Sequence, residues 1–180
     1  NKLYVFGDEN KIYGLNTFNS DIDTLAIPDV ENYKYFFYNK YDSLYYLKTL
    51  SSLKSYEINK KVKFKKTFKS FLIKDHDFVN ADTVLFATNV DFKIALHNKN
   101  RDIKTLFNES SRSYTCLYNS TYKTSLFGTV KGLIQVDKNF NRTEITHKKK
   151  SIFIKDMVVS PDGTVWALSF KNGFYQIIDS

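Results

Sequence analysis

The feature that most restricts this chain is a recurrence at about 41 residues. Strand-like cores stand at Leu3-Tyr4-Val5-Phe6, Leu44-Tyr45-Tyr46-Leu47, Leu85-Phe86-Ala87-Thr88, Leu126-Phe127-Gly128-Thr129 and Val165-Trp166-Ala167-Leu168, in steps of 41, 41, 41 and 39. A second apolar column follows at Ile12, Leu53, Ile94, Leu133 and Phe174, and a third precedes the cores at Tyr38, Val79, Tyr118 and Val159. Where the spacing departs, it departs by two. The interval from core to second column falls from 9 to 7 at Leu126 to Leu133, and that from third column to core rises from 6 to 8 at Tyr118 to Leu126. Side chains alternate faces along a strand, so changes in pairs keep the same face buried. The spacing therefore predicts an expanded turn from Tyr118 to Thr124, balanced by a shortened hairpin after Leu126.

A period of this length suits either a four-stranded propeller blade or a paired-helix repeat. The local pattern favours strands, because the columns sit in short runs of Val, Ile, Phe, Tyr and Thr bounded by Asn39-Lys40-Tyr41-Asp42, Asn80-Ala81-Asp82 and Ser160-Pro161-Asp162-Gly163. One stretch reads otherwise: Leu44, Leu47, Leu50 and Leu53 have helical spacing. Its anchors are in phase with copies that do not read helically, so strands are expected there too. Each repeat then holds an inner strand, a core strand, its hairpin partner and an outer strand. In the second copy the outer strand, Lys61-Val62-Lys63-Phe64-Lys65, would set Val62 and Phe64 against the neighbouring blade and the lysines in water.

The expected fold is all-β: one partial β-propeller domain over residues 1–180, an arc of four to five blades with approximate repeats 1–32, 33–72, 73–112, 113–153 and 154–180. Copy one lacks its leading strand and copy five stops at Ile178-Asp179 without a trailing one. With no Met at Asn1, this favours an arc cut from a larger propeller, with end blades open to self-association.

Composition narrows the function classes. A chain of 180 residues and 21.1 kDa has the length of one domain. No run approaches the ~18 apolar residues of a membrane span, and the start shows no signal-peptide pattern. The net charge is +8, but of 27 basic residues only Arg101, Arg112 and Arg142 are arginine. Base-edge readout favours the bidentate guanidinium, so no nucleic-acid partner is expected. A profile rich in Lys, Asn, Ile, Tyr and Phe is also what A+T-rich coding bias produces. One cysteine, Cys116, excludes an internal disulfide, and with His76, His97 and His147 it makes poor material for a closed zinc site. No metal or other cofactor is expected.

The last copy carries the most specific pattern. Asp156-Met157-Val158-Val159-Ser160-Pro161-Asp162-Gly163-Thr164-Val165-Trp166-Ala167-Leu168, followed by Asn172-Gly173-Phe174-Tyr175, resembles the blade signature of two-component regulator propellers: an Asp-Gly turn, an apolar-Trp-apolar strand, then Gly with an aromatic. Leu126-Phe127-Gly128-Thr129-Val130-Lys131-Gly132-Leu133 is similar, with Phe for Trp, whereas copies one to three depart from the glycine pattern. In this reading Gly163, Gly132 and Gly173 serve turns, and Trp166 fills the space between blades.

The resemblance implies a non-enzymatic sensor module of a signalling regulator, periplasmic or extracellular, that recognises a small ligand, a glycan or a protein partner. A WD40-like intracellular scaffold is the alternative, although no copy holds a Trp-Asp or Gly-His pair. A propeller glycosidase or lyase is the third reading.

No catalytic, cofactor-binding or metal-binding residue stands out, and the ligand-binding residues are not legible. Ser160-Pro161-Asp162-Gly163 lacks the spacing of a sialidase box and reads as a turn. Asp75-His76-Asp77 reads as a solvated turn rather than a metal or acid-base site. Lys60 to Lys69, with Val62, Phe64 and Phe68, reads as an exposed outer strand, and Lys148-Lys149-Lys150 as a loop. Sequons at Asn108, Asn119 and Asn141 are as many as chance supplies in such a chain. Cys116 reads as a small buried hydrophobe.

Overall fold

The structure is a computed structural model and describes residues 2–7, 11–16, 18–19, 21–27, 33, 35–59, 61–97 and 103–177. Lys60, Arg101, Ile178 and Asp179 lie outside the described residues. All regular elements among those described are strands, and the Leu44 to Tyr56 stretch with helical spacing is two of them.

Two compact units divide the chain, Asn1–Lys69 and Ser70–Ser180. The first holds a three-stranded sheet of β1 (Lys2–Phe6), β2 (Lys11–Asn16) and β3 (Ile22–Ala26), and a four-stranded sheet of β4 (Tyr35–Asn39), β5 (Leu44–Lys48), β6 (Ser52–Ile58) and β7 (Val62–Lys69). Ile12, Leu47 and Tyr56 meet in its core, and the ring of Tyr4 stands edge-on to Tyr45 at 5.1 Å.

The second unit holds three sheets. They are β8 (Ile73–Phe78), β9 (Thr83–Thr88), β10 (Phe92–His97) and β11 (Ile103–Glu109); then β12 (Ser113–Asn119), β13 (Thr124–Thr129), β14 (Gly132–Val136), β15 (Arg142–His147) and the short β16 (Lys150–Ser151); then β17 (Ile154–Val159), β18 (Val165–Ser169) and β19 (Phe174–Ile177). Every sheet is an antiparallel meander, so strands adjacent in sequence are adjacent in space. The three-stranded first and last sheets, among the described residues, match the strands expected to be missing from copies one and five.

The central strands explain the unbroken apolar runs. Thr83–Thr88 and Thr124–Thr129 are buried at all six positions; each has a neighbouring strand on both edges, and Thr124–Thr129 packs Phe127 toward the third sheet and Leu126 toward the fifth. Phe92 and Phe127 meet across the third and fourth sheets, their rings tilted by 34° with centres 4.6 Å apart, and Cys116 is buried beside them. Leu117, Leu126, Ile154 and Ala167 join the fourth sheet to the fifth.

The repeat holds, but its insertions and deletions fall only in part where expected. Asn119 pairs with Thr124 as Asn39 pairs with Leu44, so the Tyr118 to Thr124 turn is expanded relative to the third and fifth copies but not to the second. The shorter turns are those of the third and fifth copies, which close where Val79 N–H donates to Thr83 O and Ser160 N–H to Thr164 O, each at 2.9 Å. The hairpin after Leu126 has not lost residues. Thr129 pairs with Gly132 across two residues, as Thr49 N–H bonds Ser52 O and Thr88 N–H bonds Asp91 O. Measured back from these threonines, Tyr46 and not Leu44 is the counterpart of Leu85 and Leu126. Alternation is the cause: a two-residue slip leaves an apolar column apolar, so it is as silent in the sequence as in the sheet.

The outer strand of the second copy also differs from expectation. Its register shifts between Ser55 and Tyr56, which pair with Lys66 and Phe64 and leave Lys65 as the extra residue. This bulge turns Phe64 to the face opposite Phe68. Phe68 is fully buried; Phe64 is half-exposed and lies edge-on to Tyr56 of its own sheet.

Candidate ligand-binding cleft

Three inner strands carry the same irregularity. The register of β8 skips Lys74, that of β12 skips Tyr114 and that of β17 skips Lys155. A bulged residue is unpaired and its side chain is aimed out of the regular alternation. The result is local clustering: Lys74 Nζ lies 4.5 Å from the centre of the Tyr114 ring, the Arg112 guanidinium carbon lies 5.3 Å from it, and Phe170 meets the same ring edge-on at 4.8 Å. Partial burial, and then the charge of Arg112, hold the Lys74 ammonium below its ordinary pKa.

Tyr114 forms one wall of a cleft of about 550 Å³ between the fourth and fifth sheets. Phe153, Phe170 and Val130 complete its apolar lining, and Ser151, Ser169, Lys171 and Asn172 supply polar groups. Hydrogen bonds fix these walls. Phe170 N–H donates to Phe153 O at 3.1 Å, and Ser169 Oγ accepts the N–H groups of Lys171 and Asn172 at 3.2 Å each. Val130 N–H donates to Arg112 O at 3.0 Å, which ties the opposite hairpin to the cationic residue. The three rings are partly exposed, so the cleft offers apolar faces to solvent while its backbone is held. None of its lining residues is acidic, and no group of three or more His, Cys, Asp or Glu side chains among the described residues could hold a metal ion.

Serine or threonine at the hairpin is a repeated device. Thr49 accepts the N–H of Ser51 and Ser52, Thr88 that of Val90 and Asp91, Thr129 that of Lys131, and Ser169 that of Lys171 and Asn172. At the opposite turn Asn39, Asn80 and Asn119 accept N–H groups two residues on. These hydroxyls and amides mark the repeat more accurately than the apolar columns.

Of the residues singled out in the sequence, Val130 and Asn172 of the blade-signature stretches line the cleft, while the candidate chemical clusters fall outside it. Asp75-His76-Asp77 is no turn: it lies on β8. Asp75 Oδ2 accepts Thr115 Oγ1 at 2.8 Å and Cys116 N–H at 3.0 Å, while Asp77 Oδ2 accepts Tyr118 N–H at 2.7 Å. The other oxygen of each carboxylate accepts the N–H of the next residue at 2.8 Å. Both aspartates therefore join the inner strands of adjacent sheets. Asp156 on β17 repeats the intrastrand half, accepting Met157 N–H at 2.9 Å, and is exposed.

Ser160-Pro161-Asp162-Gly163 is the expected turn, with Gly163 at φ +87° and Gly163 N–H bonded to Ser160 O. The Ser160 hydroxyl and then the Thr164 N–H hold Asp162 below the usual carboxylate range. Asn119 is buried and its Nδ2 donates to Gly163 O at 3.0 Å, so that sequon is structural; Asn141 is exposed and donates to Asp137. Lys148 and Lys149 form the β15–β16 turn at positive φ. Trp166 is 41% exposed, with Val158 and Phe174 more exposed beside it, rather than filling an interior space. Tyr114, Phe153 and Phe170 had no signal in the sequence beyond being aromatic, because a bulge is set by strand pairing and leaves no periodic trace.

No family model matches the chain, and no curated protein sequence matches it. Among solved structures it is similar to the C-terminal WD40 domain of Sif2, at a TM-score of 0.70 and 11% identity, covering 99% of this chain and 55% of that one. It is also similar to the extracellular domain of the putative one component system BT4673 from B. thetaiotaomicron, at a TM-score of 0.64 and 16% identity, covering 97% of this chain and 25% of that one. The chain thus spans about half the length of the first and a quarter of the second. No described helix is long and apolar enough to cross a membrane. Five antiparallel meanders in sequence order, with these likenesses, give the fold: part of a β-propeller.

Proposed function

We propose that this chain is a non-enzymatic recognition module, one propeller segment of a two-component signalling sensor that works outside the cytoplasm and takes a small ligand or glycan in the cleft between its fourth and fifth sheets. The observation that carries this reading is the set of three partly exposed rings, Tyr114, Phe153 and Phe170, held around serine and asparagine groups on hydrogen-bonded hairpins. Aromatic faces beside convergent polar groups suit ligands that present both an apolar face and hydroxyls. The absence of an acidic lining residue speaks for binding over hydrolysis, since glycoside cleavage uses paired carboxylates. The resemblance of the last copy to sensor blades supports the signalling role.

The test is calorimetric titration of the protein with a panel of soluble oligosaccharides and small metabolites. Binding that is lost in Phe153→Ala and Phe170→Ala, yet kept in Phe71→Ala, an exposed ring elsewhere, supports the reading. Binding indifferent to all three substitutions, or no binding across the panel, overturns it.

A further inference from the structure

Sheets inside the chain meet through one recurring contact. Leu117, Leu126 and Leu133 of the fourth sheet are buried with Ile154, Val165 and Ala167 of the fifth, and Leu85 and Phe92 of the third are buried with Phe127 of the fourth. Register locates the same positions on the outermost sheets. Leu117 pairs with Leu126 and Gly128 with Leu133, as Val158 pairs with Trp166 and Leu168 with Phe174. Val158, Trp166 and Phe174 are therefore the fifth sheet's counterparts of Leu117, Leu126 and Leu133. Yet Val158 is 60% exposed and Phe174 73%, and both line a groove of about 140 Å³ with Trp166 and Leu168. On the first sheet Phe6 pairs with Ile12 as Leu168 pairs with Phe174, which puts Leu3 and Val5 where the fifth sheet has Val165 and Ala167. Val165 and Ala167 are buried; Leu3 is 55% exposed and Val5 51%. The first and fifth sheets thus each present one uncovered half of a contact that the interior completes.

We propose that two copies of this chain associate head-to-tail, the first sheet of one copy covering the outer face of the fifth sheet of the other, with Leu3 and Val5 against Val158, Trp166 and Phe174. The occupant follows from continuity with the established contact. Stacked repeats bury their faces on their neighbours, and the half that the fifth sheet needs is carried, uncovered, by the same chain. The two faces are unlike, so the contact is heterologous, and each copy offers one face of each kind. This association is independent of what the cleft between the fourth and fifth sheets binds.

The experiment is light scattering, with acrylamide quenching of Trp166, the only tryptophan, across a dilution series of the protein. The expected result is a mass above 21.1 kDa that falls on dilution, with Trp166 becoming more quenchable over the same range. Val5→Glu and Trp166→Glu, both at exposed positions, are each expected to weaken association about tenfold or more. In Val5→Glu the untouched Trp166 stays quenchable at every concentration. Each variant keeps the face that the other lacks, so mixing the two restores a complex of two copies. Leu3→Lys repeats the first-sheet test should Val5→Glu lower the melting temperature. A mass of 21.1 kDa at every concentration overturns the proposal. Association abolished by Trp166→Glu but indifferent to Val5→Glu and Leu3→Lys means that like faces meet, and overturns it as well. So does a mixture of the two variants that stays monomeric.

Discussion

Asp75 and Cys116 sit on inner strands of adjacent sheets, and the carboxylate of one accepts the backbone N–H of the other at 3.0 Å. The same oxygen receives Thr115 Oγ1 at 2.8 Å, and the second oxygen receives His76 N–H. Four-acceptor capacity with no donor is what this position requires, which is a property of the ionised carboxylate. Two strands that are not hydrogen-bonded to each other in one sheet are thereby tied by side chains.

Replacing Asp75 with Ala is expected to destabilise the protein by about 1.5–3 kcal/mol, the scale of a charge-assisted hydrogen bond. Asn restores only part, because its NH2 would face either His76 N–H or the Thr115 and Cys116 donors. Urea unfolding of D75A and D75N checks this; equal stability of D75N and wild type would remove the argument.

The hairpin threonines make a second expectation. Thr129 is fully buried, donates to Gly132 O at 2.9 Å and accepts Lys131 N–H at 3.0 Å. Thr129→Val keeps the shape and removes both bonds, at a cost of about 1–3 kcal/mol, whereas Thr129→Ser costs less because it keeps the hydroxyl. The order of melting temperatures, wild type above Ser above Val, is the measurement.

Close approach rather than backbone freedom explains Gly128. A Cβ there would meet Ile154 O at 2.8 Å and Thr115 Cγ2 at 2.9 Å. Gly128→Ala must push β17 away from β13, with an expected loss of about 1–3 kcal/mol. Denaturant titration reads it, and an unchanged midpoint would show that the two strands can separate without cost.

At high pH the tyrosines matter. Burial, and then the Tyr46 hydroxyl's 2.7 Å hydrogen bond to Asp42, raise the Tyr46 pKa well above its ordinary value. Lys66 pairs with the same carboxylate at 3.0 Å. A folded pKa raised above the unfolded one means that this stabilisation is fully present below about pH 10 and is lost as the pH rises from there. Absorbance titration at alkaline pH is expected to show one tyrosine that ionises only with unfolding, and Tyr46→Phe removes it.

Trp166 is the only tryptophan and is 41% exposed. Its fluorescence is expected to be readily quenched by acrylamide in dilute protein. Resistance to quenching would mean that the apolar face it shares with Val158 and Phe174 is covered in solution.

How much of this was legible before folding can be argued residue by residue. The recurrence near 41 residues was enough for strands in place of helices at Leu44 to Tyr56, for the three-stranded end sheets and for the burial of Cys116. It was not enough for register. Leu44 and Tyr46 are both apolar and two apart, so alternation hides which of them matches Leu85.

Strand identity and order follow from the sequence alone, because alternation, β-branched and aromatic runs and Asn or Asp-Gly turns are local properties of the chain. Bulges at Lys74 and Tyr114, the carboxylate ties of Asp75 and Asp77, and the cleft between Tyr114, Phe153 and Phe170 were decided by tertiary structure. The bulges depend on register between neighbouring strands of one sheet, and the ties and the cleft on which residue of one sheet lies opposite which residue of the next. The pairing between sheets is set when they pack, with the carboxylate ties 41 residues apart in sequence, and no short-range pattern encodes it.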